Sequence, residues 1–142
     1  MRKMLLIALL ACSCASSGSG PRLAVEVDEL YAPDQSVQEV GQHLFHIRVT
    51  NRSADVISIN SIHLDIAGTN DYEMESPTVT VATLIGPDET QDLEVEALIT
   101  LSARRSRTMN YRVDSLQVVI SGEGPAGNFI DSGTYPIARQ RM

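Results

Sequence analysis

The 142-residue sequence has no Trp, six aromatic residues in all, no Lys after Lys3 and no Cys after Cys14. With no Cys beyond position 14, no disulfide can staple a folded domain there, so its stability must come from apolar burial. Basic residues are scarce as well. From residue 12 onward nine Arg stand against 18 acidic side chains, a net charge of −9. Binding to a phosphate backbone needs clustered positive charge, so nucleic acid is excluded as a main partner, as is electrostatic adhesion to anionic lipid headgroups. No apolar run reaches the about 20 residues that a membrane-spanning helix needs. Beyond the N-terminal segment no window of 11 residues carries an apolar stripe at i, i+3, i+4, i+7, which leaves helix close to nil.

What is present suffices for one packed domain. Apolar residues make up 43% of the chain and charged residues 20%, too apolar a balance for a disordered polymer. A domain near 120 residues buries roughly two-thirds of the surface its unfolded chain exposes.

Residues 1–3 read MRK and residues 4–11 read MLLIALLA, followed by small and polar residues. This is a positive n-region, a short apolar h-region and a cleavage-type tail. Counted on to Ala15 the apolar run covers 12 residues, too few to cross a bilayer, so it serves export. Leu9-Leu10-Ala11-Cys12 resembles the lipobox of bacterial lipoproteins, with a branched apolar residue at −3 and a small one at −1 before the modified Cys. The resemblance implies that the Cys12 thiol receives diacylglycerol as a thioether, that a peptidase cuts before Cys12, and that the freed amine is acylated. Two or three acyl chains make an anchor that does not readily dissociate. Cys14 offers an alternative, weaker box, with Ser13 at −1 and Ala11 at −3. An ordinary signal peptide cut after Ala15 is a third reading. Ser13 at +2 is not Asp, which by the same resemblance implies an outer membrane, periplasm-facing location if the cell is Gram-negative. The expected organisation is a signal peptide over residues 1–11, a lipidated flexible tether over 12–21 and a β-sandwich domain over 22–142.

From Leu23 the apolar period is two. Leu23, Val25 and Val27 alternate with Ala24, Glu26 and Asp28, and Phe45, Ile47 and Val49 with His46, Arg48 and Thr50, which reads as half-buried strands. Ile57 and Ile59 sit on odd positions but Ile62, Leu64 and Ile66 on even ones, so a bulge or sheet switch is expected near Asn60-Ser61. Val79, Val81 and Ile85, a Gly86-Pro87-Asp88-Glu89 turn, and Leu93, Val95, Ala97, Ile99 and Leu101 read as a hairpin. A last strand contains Phe129 to Ile137. Seven to eight strands of this kind make the fold class all-β, an antiparallel two-sheet sandwich. The pattern resembles immunoglobulin-like domains, without the Cys and Trp marks of antibodies. Val49-Thr50-Asn51, the turn Arg52 to Asp55 and Val56 to Ile59 also resemble the first hairpin of late-embryogenesis-abundant and related bacterial domains.

Chemistry-bearing residues are sparse. The only histidines are His43, His46 and His63, with His46 and His63 expected on outward faces; a metal site needs three or four convergent ligands. The acidic runs Asp71, Glu73, Glu75 and Asp88, Glu89, Asp92 lack the spacing of a calcium loop. No Gly-Xaa-Ser-Xaa-Gly elbow, phosphate loop or downstream Cys nucleophile occurs, so neither catalysis nor a cofactor nor a small-molecule substrate is expected. Arg104, Arg105 and Arg107, with Arg112 nearby, form the single basic concentration and are the candidate contact with an acidic partner. The segment Gly68 to Pro77, with Tyr72 and Met74 among acids, is either a second contact surface or a lid on the core. These features describe a lipid-anchored envelope module that acts through contacts with an unknown envelope protein. The competing expectation is a periplasmic metal-handling or enzymatic lipoprotein, which requires the histidines or the acidic runs to converge.

Overall fold

A computed structural model describes residues 20–31, 41–68, 72–75, 77–101 and 113–139. Eight strands follow in chain order: β1 (Leu23–Tyr31), β2 (Gly41–Asn51), β3 (Ile57–Ile66), β4 (Tyr72–Met74), β5 (Thr78–Ile85), β6 (Thr90–Leu101), β7 (Ser115–Gly124) and β8 (Gly127–Arg139). No helix occurs among the described residues. The all-β expectation therefore holds, and the strand count falls within the expected range.

The arrangement departs from two separate antiparallel sheets. The strands form one ladder in the order β4-β6-β2-β1-β8-β7-β3-β5. All neighbours are antiparallel except β1 and β8, which run parallel over Val27 to Glu29 and Ile137 to Arg139. The sheet curls until its two extremes approach each other, β4 near β3 and β6 near β5. A single apolar core fills the curl, with Phe45, Ile47, Ile59, Ile62, Leu64, Ile99 and Leu116 all inaccessible. The reason lies in β8. Its first ten residues pair with β7, and its last three leave that strand for β1, so one long strand joins what would otherwise be two sheets.

The period of two set the faces correctly but not the partners. The turn at Gly86 to Glu89 forms, with Glu89 N donating to Gly86 O at 3.1 Å and Asp88 in the left-handed region at φ 59°. Yet β5 pairs with β3, whereas β6 pairs with β2 and β4, so the connection is an arch across the core and not a hairpin. The β2–β3 connection is also an arch, since β2 pairs with β1 and β6. Alternation states which side of a strand is apolar; it is equally satisfied by two strands lying side by side and by two facing one another.

Asn51 fixes both arches. Its side chain is fully buried, donates to Asp55 O at 2.8 Å and Ile85 O at 3.0 Å, and accepts from Ser53 N at 3.0 Å. Its backbone accepts from Asp88 N at 2.7 Å and donates to Glu89 O at 3.0 Å. The phase change expected at Asn60-Ser61 is a bulge: pairing to both β5 and β7 shifts register between Ile59 and Ser61. Beside it, Gly122 is obligatory by space. A Cβ there would stand 2.1 Å from Ser58 O and 2.6 Å from the Phe129 ring, so the ring lies directly over a residue without a side chain.

Candidate interaction surfaces

Alternation gives the curled sheet two outer faces of opposite character. On β1, β2 and β6 the outward positions carry Glu26, Asp28, His46, Arg48, Asp92, Glu94 and Glu96. Arg48 Nη2 lies 2.8 Å from Asp28 Oδ2 and 3.0 Å from Glu26 Oε2. His46 sits between two carboxylates, with Nε2 3.1 Å from Asp92 Oδ1 and Nδ1 3.8 Å from Asp28 Oδ2. Surface pairs of this kind contribute about 0–1 kcal/mol each. Their larger consequence is electrostatic. One Arg does not neutralise five acids, and exposed Glu73 on β4 and Glu75 beyond it extend the negative field, which repels anions and favours a basic partner.

The outer face of β8, β7, β3 and β5 is nearly uncharged. Across one row stand Thr80, Ser61, Ser121 and Ile130, and across the next Thr78, His63, Val119 and Ser132. Ser61 and Ser121 share a hydroxyl hydrogen bond at 2.6 Å, and His63 Nδ1 meets Thr78 Oγ1 at 2.8 Å. Ile130 is 76% exposed and Leu84 on β5 is 73% exposed.

The histidines do not converge. His46 points outward as expected, and His63 lies outside on β3, in the other half of the sheet. His43 points inward, its Nδ1 2.6 Å from Glu29 Oε1 with side chains 1% and 4% exposed, and its ring stacks on Phe45 at 5.9 Å and 7°. The signal was in the sequence: His43 shares parity with Phe45, Ile47 and Val49, and Glu29 with Val25 and Val27. No group of three or more metal-ligating residues forms among the described residues. The acidic runs separate too. Glu73 and Glu75 flank Met74 on the outside of β4, while Glu89 folds back to accept from Gly86 N at 2.8 Å. Tyr72 and Met74 turn into the core, so the described part of Gly68 to Pro77 takes the lid alternative.

A groove of about 380 Å³ lies at the end where the chain enters the fold, between Pro21, Arg52, Ile57, Pro125 and Phe129. Arg52 N donates to Arg22 O at 2.8 Å there, and Pro125 and Ala126 make the β7–β8 turn, closed by Gly127 at φ 106°. Among half-buried groups, the Tyr135 hydroxyl has its pKa raised above 10.0, first by desolvation and second by the Asp131 carboxylate.

Cys12, Cys14, Arg104, Arg105, Arg107 and Arg112 all lie outside the described residues. The residues bracketing the arginines are placed, however. Leu101 ends β6 beyond the Gly41–Ile99 pair, and Val113 precedes β7 beyond the Ser115–Pro136 pair. Both stand at the end opposite Arg22, which lies beside Asn51 and the Gly124–Gly127 turn.

No protein-family profile and no curated protein sequence matches the chain. Among solved structures, a Bordetella pertussis protein provisionally designated ApaA is similar in fold, with TM-score 0.52 and 18% identity over 86% of this chain and 97% of its own. Another structural-genomics protein aligns at TM-score 0.47 and 15% identity over 82% and 85%. A FixG-related protein from Vibrio parahaemolyticus aligns at 0.36 and 12% over 81% and 95%. These likenesses concern the fold alone, and only the first bears on it.

Proposed function

We propose that the chain is a lipid-anchored module of the cell envelope that works through protein contacts. Its anchor is Cys12, with Cys14 the alternative, and its location is the periplasmic side of an outer membrane where the cell has one. The observation that carries the reading is the MRK, MLLIALLA and LLAC run, followed after nine residues by a compact β unit that begins at Arg22. That unit meets the tether at Gly20 to Arg22 and brackets its arginine-rich segment at the far end. An anchor at one end and a binding segment at the other is the arrangement a tethered contact module needs. The curled eight-stranded sheet is read as a variant of the immunoglobulin-like sandwich in which β8 serves both halves.

Arg104, Arg105, Arg107 and Arg112 are the proposed contact residues. Four of the nine basic residues after position 11 fall within nine positions, opposing the field of an acidic molecule, and a guanidinium offers a fork of donors for carboxylates. Changing Arg104, Arg105 and Arg107 together to Ser is expected to leave folding intact while abolishing crosslinks to envelope proteins in whole cells. Unchanged crosslinks in the triple variant would remove the segment from the interface.

A further inference from the structure

Single exposed apolar side chains are ordinary on a protein surface, but their distribution here is one-sided. Among the described residues the large apolar side chains that stand exposed are Val56, Leu84 and Ile130, at 56%, 73% and 76%. Val56 leads into β3, Leu84 lies two residues before Gly86, and Ile130 lies three residues beyond the Gly124–Gly127 pair. Each is therefore at most about 10 Å along its strand from the loops at the entering end. All three belong to the half of the sheet built from β5, β3, β7 and β8, and none to the acidic half.

The chain enters at that same end. Gly20, Pro21 and Arg22 line the groove together with Pro125, Ala126 and Phe129, and Cys12 stands eight residues before Gly20. At about 3.5 Å per residue the intervening chain spans at most about 28 Å however it is arranged, so an acylated Cys12 holds these loops within reach of the lipid headgroups. Charge is segregated to suit that position. The other half turns Glu26, Asp28, Asp92, Glu94 and Glu96 outward, and carboxylates gain nothing beside lipid phosphates. Around Leu84 and Ile130 the outward neighbours are Ser58, Ser61, Thr80, Ser121 and Asn128, with Glu123 the single acid among them. Hydroxyl and amide groups exchange water for phosphate and ester oxygens without stripping a charge of its solvent.

We propose that this corner of the molecule, Val56 with Leu84 and Ile130, is a membrane-resting surface whose occupant is the zwitterionic phospholipid of the leaflet that holds the anchor. The inference rests on the lipid-anchored reading and adds an orientation to it. The three side chains enter the headgroup boundary, as the apolar side of an interfacial element does, and the acidic face tilts away from the lipid. The contact needs no positive charge. Arg52, at the same end, is engaged with Asp88 at 3.5 Å, and an apolar contact does not weaken as salt screens charges. The tilt leaves Leu101 and Val113, which bracket the arginine segment at the opposite end, facing away from the membrane.

The test uses the full acylated chain, with whichever of Cys12 and Cys14 bears no lipid replaced by Ser, reconstituted into vesicles of phosphatidylcholine and phosphatidylethanolamine. Leu84→Cys, Ile130→Cys and, on the acidic face, Glu94→Cys each carry an environment-sensitive fluorophore that a nitroxide on the lipid headgroup quenches. Quenching is expected to be several-fold stronger at Leu84→Cys and Ile130→Cys than at Glu94→Cys, and equal at low and high salt. The fluorophore is itself apolar, so a second set places it at Asn128→Cys, where Leu84→Asp with Ile130→Asp is expected to lower quenching several-fold while the chain still floats with the vesicles. All four labelled positions are exposed, so these variants read contact and not folding. Chains that float but are quenched alike at every position, or whose quenching at Asn128→Cys is unmoved by the two Asp, overturn the resting surface and leave the anchor standing. A wild-type chain that does not float overturns the anchored reading and this surface with it. Weak quenching in vesicles, joined to protection of Leu84→Cys from a maleimide in whole cells, would overturn the lipid occupant in favour of a protein.

Discussion

Asn51 concentrates more of the fold than any other polar side chain among the described residues. It ties the β2–β3 arch to the β5–β6 arch through Ile85 and Asp55 carbonyls while closing its own turn on Ser53. Truncation strands a buried carbonyl, at a cost of about 1–3 kcal/mol for each unsatisfied group. Asn51→Ala is therefore expected to lose about 2–4 kcal/mol in urea unfolding, a large part of the 5–15 kcal/mol typical of a domain; a loss below half a kcal/mol would contradict the role. Tyr135 gives a second residue-scale expectation. Its folded pKa lies above that of the unfolded chain, so the stabilisation linked to its protonated form is fully present below pH 10 and is lost as pH rises through the folded value. Comparing alkaline absorbance titrations of the wild type and Tyr135→Phe isolates its step, which should move toward the ordinary tyrosine range in Asp131→Asn. The larger, desolvation part should persist there.

At the scale of elements, the sequence disclosed the positions of the longer strands, their buried faces and the bulge at Asn60, because each is written in a local period; the three-residue β4, Tyr72–Met74, is too short to show one. It did not disclose partners. Nothing in Ile85, Gly86 or Leu93 distinguishes a hairpin from an arch; the decision comes from Asn51, some 35 positions away, and from β8 continuing past β7 to reach β1. The same limit explains the surfaces. The acids on β1 and β6 were readable one by one, but their union into a single face depends on β2 lying between them. Strand phase itself is testable at Val95, 2% exposed on β6. Val95→Asp puts an unpaired carboxylate into the core and is expected to unfold the domain, while Glu94→Asn, one residue away on the exposed face, should stay within about 0.5 kcal/mol of the wild type. A stable, cooperative Val95→Asp protein in circular dichroism melting would reverse the phase of β6.

For the whole molecule, polarity along the long axis organises the functional reading. The chain enters beside Arg22, the two arches and the β7–β8 turn gather at that end, and the bracketing residues of the arginine segment stand at the other. This polarity has a use only if the entering end is held at a surface, which makes acylation of Cys12 the central claim. The most direct measurement is incorporation of labelled palmitate into the chain in a host with the lipoprotein pathway, comparing the wild type with Cys12→Ala and Cys14→Ala. The account predicts label and membrane partition in the wild type and in Cys14→Ala, and neither in Cys12→Ala. Label that survives Cys12→Ala but not Cys14→Ala would move the anchor to the second box; a wild-type chain without label would contradict the anchored module itself.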